Sequence, residues 1–197
     1  MRAALALLVV ALAWFTPARA QQLVAVPPVA RVTDQTGTLQ PAQVAALEQK
    51  LVALEQRKGS QLAVLLVPTT QPEDIAQFGI RVGEAWKLGR KGVDDGAILI
   101  VALQDRRMRI EVGYGLEGTI TDLAANRILD EFLRPSFRAG DFYGGIDAAV
   151  DKMIGLVDGE PLPEPKHDEW NGTSNGFGAA LPVLLIFGLV GGPILRK

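Results

Sequence analysis

Seven consecutive apolar residues, Ala97 to Leu103, stand between Val93-Asp94-Asp95-Gly96 and the short polar run Gln104-Asp105-Arg106. A run of that length with no polar interruption is what a strand covered on both faces requires. The next six residues alternate. Met108, Ile110 and Val112 fall on one face and Arg107, Arg109 and Glu111 on the other, the period of a half-exposed strand. Paired as a hairpin, the two runs return Val112 and Gly113 to Ala97. The loop before the first strand then lies beside the Gly-rich loop after the second, Gly113-Tyr114-Gly115-Leu116-Glu117-Gly118. One edge of the sheet gathers Asp94, Asp95 and Glu117, with Asp122 following close behind, and glycines there let a backbone approach closely.

The flanking chain supplies the layers. A short edge strand is expected over 29–33, ending in the turn Asp34-Gln35-Thr36-Gly37. Pro41 opens a helix whose Val44, Leu47, Leu51 and Leu54 recur at helical spacing, with Gly59 as its stop. Residues 61–67 form a second apolar strand. A second helix from near Pro72 carries Ile75, Phe78, Val82 and Trp86 on one face. This strand–helix–strand unit predicts a parallel pair, 61–67 with 97–103, joined by a right-handed crossover. Beyond the hairpin, Thr121 or Asp122 caps a helix over 123–133, with Leu123, Ile128, Leu129 and Phe132 inward and Pro135 ending it. Residues 136–145 read as a loop rich in glycine and aromatics, and a last helix runs over 143–157. The pattern is α/β: a compact three-layer α/β/α domain with a small mixed sheet and helices on both faces.

Both ends of the chain read as membrane-targeting segments. Residues 1–20 have the short basic start, apolar middle and Ala18-Arg19-Ala20 cleavage site of a signal peptide. Residues 21–28 are an apolar lead-in to the domain at 29–158. Residues 159–176 have the Pro, Gly and acidic composition of a linker. Residues 177–195 are uncharged and long enough to span a bilayer, and Arg196-Lys197 follows as a basic cytoplasmic end. The expected topology is a single pass in the cytoplasmic membrane with the folded domain exported to the periplasm or cell exterior. Arg2, Arg19, Arg196 and Lys197 lie outside the exported part and none of the 22 acids does, so 16 basic residues face 22 acidic ones, a net charge of −6. That balance argues against nucleic acid as a partner. With no cysteine, disulfides and thiolate chemistry are excluded.

Several of these motifs resemble one family. Val32-Thr33-Asp34, Lys91-Gly92-Val93-Asp94-Asp95-Gly96 before an apolar strand, Arg106-Arg107, Glu111 to Gly118 with Thr121-Asp122, and Arg134-Pro135 with Phe137 are similar in kind and order to the TPM-domain family. That family is named for thylakoid lumen proteins of photosystem II repair and includes bacterial proteins with a signal peptide and one C-terminal membrane segment. The resemblance implies a compact three-layer α/β fold. It also implies a choice of activities, since plant lumenal members are described as acid phosphatases and some members bind calcium through acidic loop residues. Carried over by motif, the metal candidates are Asp34, Asp94, Asp95, Glu117 and Asp122, and the anion contacts Arg106 and Arg107. Asp95 stands where many members have Asn.

Calcium takes six to eight oxygens, which an acidic Gly-rich loop pair can supply. Turn chemistry explains Asp94-Asp95-Gly96 equally well, a helix cap explains Asp122, and a solvated loop acid explains Glu117. Asp34 joins the cluster only if its strand runs antiparallel to 97–103. Phosphatase chemistry needs a nucleophile or a metal-activated water. The chain has no cysteine, and His167, its one histidine, falls in the linker, so an aspartate- or metal-dependent route is what remains. Gly113, Gly115 and Gly118 have dinucleotide-loop spacing, but the strand before them belongs to a hairpin and no βαβ unit follows. The expectation is a membrane-tethered, calcium-binding accessory, assembly or repair factor for an envelope protein. The alternatives are a metal-dependent phosphatase at the same edge and an adaptor using the aromatics of 137–143.

Overall fold

The computed structural model describes residues 22–163. The expected signal peptide, His167, the membrane segment 177–195, the basic end and the linker beyond Pro163 lie outside the described residues. Among the described residues, no helix is long and apolar enough to cross a membrane. The chain forms β1 (Val32–Asp34), α1 (Pro41–Lys58), β2 (Gln61–Val67), α2 (Ile75–Trp86), β3 (Gly96–Ala102) and β4 (Arg107–Val112). A 3-10 turn at Tyr114–Leu116 then leads into α3 (Asp122–Ile128), a π-helical segment (Leu129–Leu133), α4 (Arg134–Arg138) and α5 (Phe142–Asp158).

The strands lie in chain order, β1-β2-β3-β4. The first three are parallel and β4 is antiparallel to β3, pairing Ala97 with Val112 and Ala102 with Arg107. β3 is buried along its whole length, as its unbroken apolar run requires. Its two faces feed separate cores. Leu62, Val64, Leu66, Ala97, Leu99 and Val101 meet α1, α5 and the π segment. Ala63, Leu65, Val67, Ile98, Ile100 and Ala102 meet α2. The predicted three-layer mixed-sheet fold is therefore present.

α1 follows from its sequence. Pro41 occupies the first turn, and the Gln43 side chain accepts a hydrogen bond from Gln40 N at 2.8 Å. Gly59, at φ 80°, closes the helix with its N–H on Glu55 O. Leu47, Leu51 and Leu54 are buried, each contributing about 1.5–3 kcal/mol by leaving water. On the other side of the sheet, Gly79 lets α2 settle onto β4. A Cβ there would stand 3.0 Å from Glu111 Oε2 and 3.3 Å from Ile100 Cδ1. The lead-in belongs to this layer too: Trp86 Nε1 donates to Pro27 O and an Arg81 amino group to Val24 O, both at 2.8 Å.

The structure departs from the sequence reading in three places. First, β1 spans Val32–Asp34 rather than 29–33, while the predicted parallel pair of β2 with β3 and the helices on both faces are present. Second, Leu123 is 73% exposed, not inward. Ala125 and Ile128 are the buried residues of α3, and Leu123 precedes Ala125 by two positions, about 200° around the helix. Third, Pro135 does not end the helical path. It sits in the first turn of α4, where a missing N–H is tolerated, and the expected loop over 136–145 is occupied by α4 and the start of α5. Asp141 caps α5 by accepting from Gly144 N at 2.9 Å.

Candidate functional site

The loops flanking β3 and β4 adjoin, as the hairpin predicted. Gly113 N donates to Gly96 O at 2.7 Å and Gly115 N to Asp94 O at 3.1 Å. The approach is close enough to exclude any side chain: a Cβ on Gly115 would fall 2.1 Å from Val93 O, and one on Gly113 2.3 Å from Asp94 O. Glycine is therefore required at both positions for packing.

The acidic side chains of this region face different ways. Asp95 is 2% exposed and turned inward. It accepts from Arg90 N at 2.7 Å, from the Arg90 guanidinium at 2.9 and 2.7 Å, and from Ser60 Oγ at 3.2 Å. Burial alone would raise its pKa, but the Arg90 side chain and backbone N–H outweigh burial and hold it below the ordinary aspartate value. Asp95 thus pins the 90–95 loop. Asp94, at φ 55°, is exposed, and its carboxylate makes no hydrogen bond or ion pair among the described residues. It lines a groove with Glu84, Lys87 and Lys91 beside α2. Glu117 and Asp122 line a different groove, along β4. Thr121, not Asp122, caps α3, accepting from Ala124 N at 3.2 Å. Among the described residues no three His, Cys, Asp or Glu side chains are grouped so as to hold a metal.

Asp34 is at the other end of the sheet. β1 is parallel to β3, so its last residue lies at the carboxyl end of the strands while Asp94 and Asp95 precede the amino end. Asp34 pairs with Leu66, and Gln61 with Gly96. Five residues separate those levels, about 17 Å along the strands. Asp34 is engaged locally, accepting from Thr36 N, Thr36 Oγ1 and Leu39 N at 2.8, 2.5 and 2.7 Å. Burial works to raise its pKa, but these bonds prevail and lower it.

The carboxyl end of β3 carries the more open chemistry. Arg106 and Arg107, the predicted anion contacts, line a cavity of about 610 Å³ together with Arg134, Arg138, Phe137 and Phe142. Arg106 holds φ 53° in the turn between β3 and β4. Phe137 and Phe142 meet edge to face with ring centroids 4.9 Å apart. Arg134 is paired with Asp130 one turn earlier, whereas the side chains of Arg106, Arg107 and Arg138 make no hydrogen bond or ion pair among the described residues. The turn itself is fixed by Asp105, which accepts from Thr69 Oγ1 and Thr70 N, both at 2.7 Å. Its pKa is lowered: burial opposes, and the threonine bonds and nearby Arg107 prevail. The sequence reading names Phe142 only among the aromatics of an adaptor surface and does not place Arg134 or Arg138 in a site. Arg134 and Arg138 share a helix face at i, i+4 spacing, a signal visible only once the helix is carried past Pro135.

The chain matches one family model, the TPM domain, over residues 32–156. The chain belongs to the TPM-domain family. Solved structures with the same fold include the N-terminal domain of a protein from P. gingivalis, 30% identical with TM-score 0.60, the match covering 65% of this chain and 82% of that one. BA42 from the psychrophilic bacterium Bizionia argentinensis is 18% identical with TM-score 0.54, covering 66% of this chain and 90% of its own. The N-terminal domain of cg2496 from Corynebacterium glutamicum is 14% identical with TM-score 0.51, covering 74% and 91%. Among curated proteins, none matches the sequence. Within this TPM domain, the acids carried over by motif are dispersed among two grooves, one buried ion pair and the far end of the sheet, while the two arginines join a larger cationic pocket.

Proposed function

We propose that this TPM domain is an exported binding module, held at the cytoplasmic membrane by residues 177–195, that serves as an accessory factor for an envelope protein. Its ligand is a carboxylate or phosphate group carried on an apolar body. The observation that carries the reading is the pocket at the end of β3. Four guanidinium groups surround a cavity in the size range of small-ligand pockets, about 300–1,000 Å³, and three of them have no partner among the described residues. Guanidinium forks suit planar, bidentate contacts with carboxylate and phosphate. Phe137, Phe142 and Met108 supply the apolar wall. The residues lining the pocket bring charge and apolar surface but no hydroxyl, thiol, imidazole or carboxylate side chain, which fits binding better than hydrolysis.

Phenyl phosphate, an anion on an aromatic body, tests the reading by amide NMR and calorimetry. The expected result is saturable shifts at Arg106, Arg107 and Phe137. Arg106→Ala with Arg138→Ala should weaken binding about tenfold, or about 1.4 kcal/mol. Absence of saturable shifts at millimolar ligand would refute it. Release of phenol with the same dependence on the arginines would favour the phosphatase alternative instead.

Calcium binding by the adjoining loops is a second reading, supported by their backbone contact and by the unengaged Asp94 carboxylate. It would draw on Asp94, with loop carbonyls and water completing the oxygen shell. Asp94→Asn, leaving Asp95 in place, should then abolish the rise in thermal stability on adding calcium; an unchanged rise would remove this ligand from consideration.

A further inference from the structure

The two edges of the sheet differ in what they expose. β1 is three residues long and offers little to pair with. β4 has six residues and is the opposite edge among the described residues. Its pairing parity is fixed by the bond from Gly113 N to Gly96 O. In an antiparallel ladder, alternate residues face the partner strand, so Arg107, Arg109 and Glu111 turn their backbone groups to β3. Met108, Ile110 and Val112 turn theirs outward. Those three residues present three N–H and three C=O groups with no partner among the described residues.

The surroundings of this edge select an occupant. A groove of about 570 Å³ runs between Arg109–Val112 and the segment from Glu117 to Leu123. Its carboxylates are Glu111, Glu117 and Asp122 and its one base is Arg109, which is bound to Glu111 at 2.6 Å. Glu117 and Asp122 are exposed and without a partner among the described residues. Leu123, 73% exposed, forms an apolar lip. Edge strands are commonly guarded by inward charges, proline or shortness. Here the two central charges of β4 neutralise each other and point to the α2 side, so the outward backbone stays available to a strand of the right charge. A second copy of the chain is disfavoured as that strand, because pairing β4 with itself would bring two acidic grooves together.

We propose that β4 accepts a fifth strand from a partner protein: an extended segment with lysine or arginine at alternate positions, their side chains facing Glu117 and Asp122. The backbone ladder supplies affinity and the carboxylates supply selectivity, as in other modes of strand addition. The outward groups of Met108 to Val112 span about 13 Å, so the added strand needs at least about five residues. This surface shares only Met108 with the arginine pocket, and Ile110 and Val112 report on it alone, so either can fail without the other.

The test uses the full chain in detergent and residue-resolved hydrogen–deuterium exchange, with an octapeptide of alternating lysine and valine as probe. Exchange should slow at least about tenfold at Met108, Ile110 and Val112, with little change at Arg107, Arg109 and Glu111, which are already bonded to β3. A glutamate–valine octapeptide should give no protection. Glu117→Gln with Asp122→Asn should weaken the effect of the lysine peptide while leaving the free protein's exchange elsewhere unchanged. Protection without the alternating pattern, equal protection by the glutamate peptide, or none at millimolar probe would overturn the proposal. So would protection that rises with protein concentration alone, which would mark β4 as a self-association edge.

Discussion

The two ends of the mixed sheet treat charge in opposite ways. At the amino end of β3, Asp95 is buried against Arg90 and Ser60, and two loops are joined by backbone contacts with no room for a Cβ. At the carboxyl end, Arg106, Arg107 and Arg138 stand around an open cavity, and their side chains make no hydrogen bond or ion pair with a carboxylate among the described residues. Both ends hold a charged motif from the same family pattern, yet one is structural glue and the other is exposed potential. Paired, desolvated charge fixes a loop, whereas unpaired charge of one sign opposes the compact state and persists where a ligand can neutralise it.

The largest effect should come from the joined loops. Gly115→Ala forces a methyl group against Val93 O and should cost about 3 kcal/mol by overpacking, read as a fall in the denaturation midpoint. A tolerated alanine would mean that the two loops separate easily. Asp95→Ala comes next. It leaves the Arg90 N–H and Ser60 hydroxyl without their buried acceptor and should cost about 2 kcal/mol.

The same carboxylate gives the amino end a pH signature. Its folded pKa lies below the ordinary value of 3.8, so its contribution is present above that value and disappears as pH falls through the folded pKa. Stability against pH below about 4 should therefore fall less steeply in Asp95→Asn than in the parent, with the other lowered carboxylates, Asp34, Glu55, Asp105 and Glu131, carrying remaining slope. A parallel curve for the variant would show that Arg90 does not stabilise the ionised form.

The arginine end should respond in the reverse sense. Arg106→Ala with Arg138→Ala removes two like charges and no ion pair among the described residues, so stability should change by no more than about 0.5 kcal/mol while anion binding weakens about tenfold. A large destabilisation would make these arginines structural and erase the contrast. Smallest of all, Leu123→Ser should stay within about 0.5 kcal/mol, since the side chain is 73% exposed; a larger fall would restore its expected place in the core.

Much of this was legible where one residue pattern decides one element. Pro41 and Gly59 bracket α1, the apolar run gives β3, and alternation gives β4. The adjoining loops followed from the hairpin alone. What stayed hidden depends on relations between distant segments. Whether Asp34 meets Asp94 turns on the direction of a three-residue strand, which carries no directional signal of its own. Arg106 and Arg138 are 32 positions apart in sequence, and only packing brings them to one cavity. Apolar character alone places Leu123 inward, but near a helix start phase decides, and the side chain is exposed.

The π-helical segment Leu129–Leu133 acts as an angular setting for the pocket. One surplus residue in a helical path rotates everything after it by about 100° relative to an uninterrupted α-helix. Arg134, Phe137 and Arg138 all lie downstream of that surplus. Forcing the same residues into plain α phase would swing both arginines to another bearing, whereas deleting one residue of the segment removes the surplus and leaves them facing the cavity.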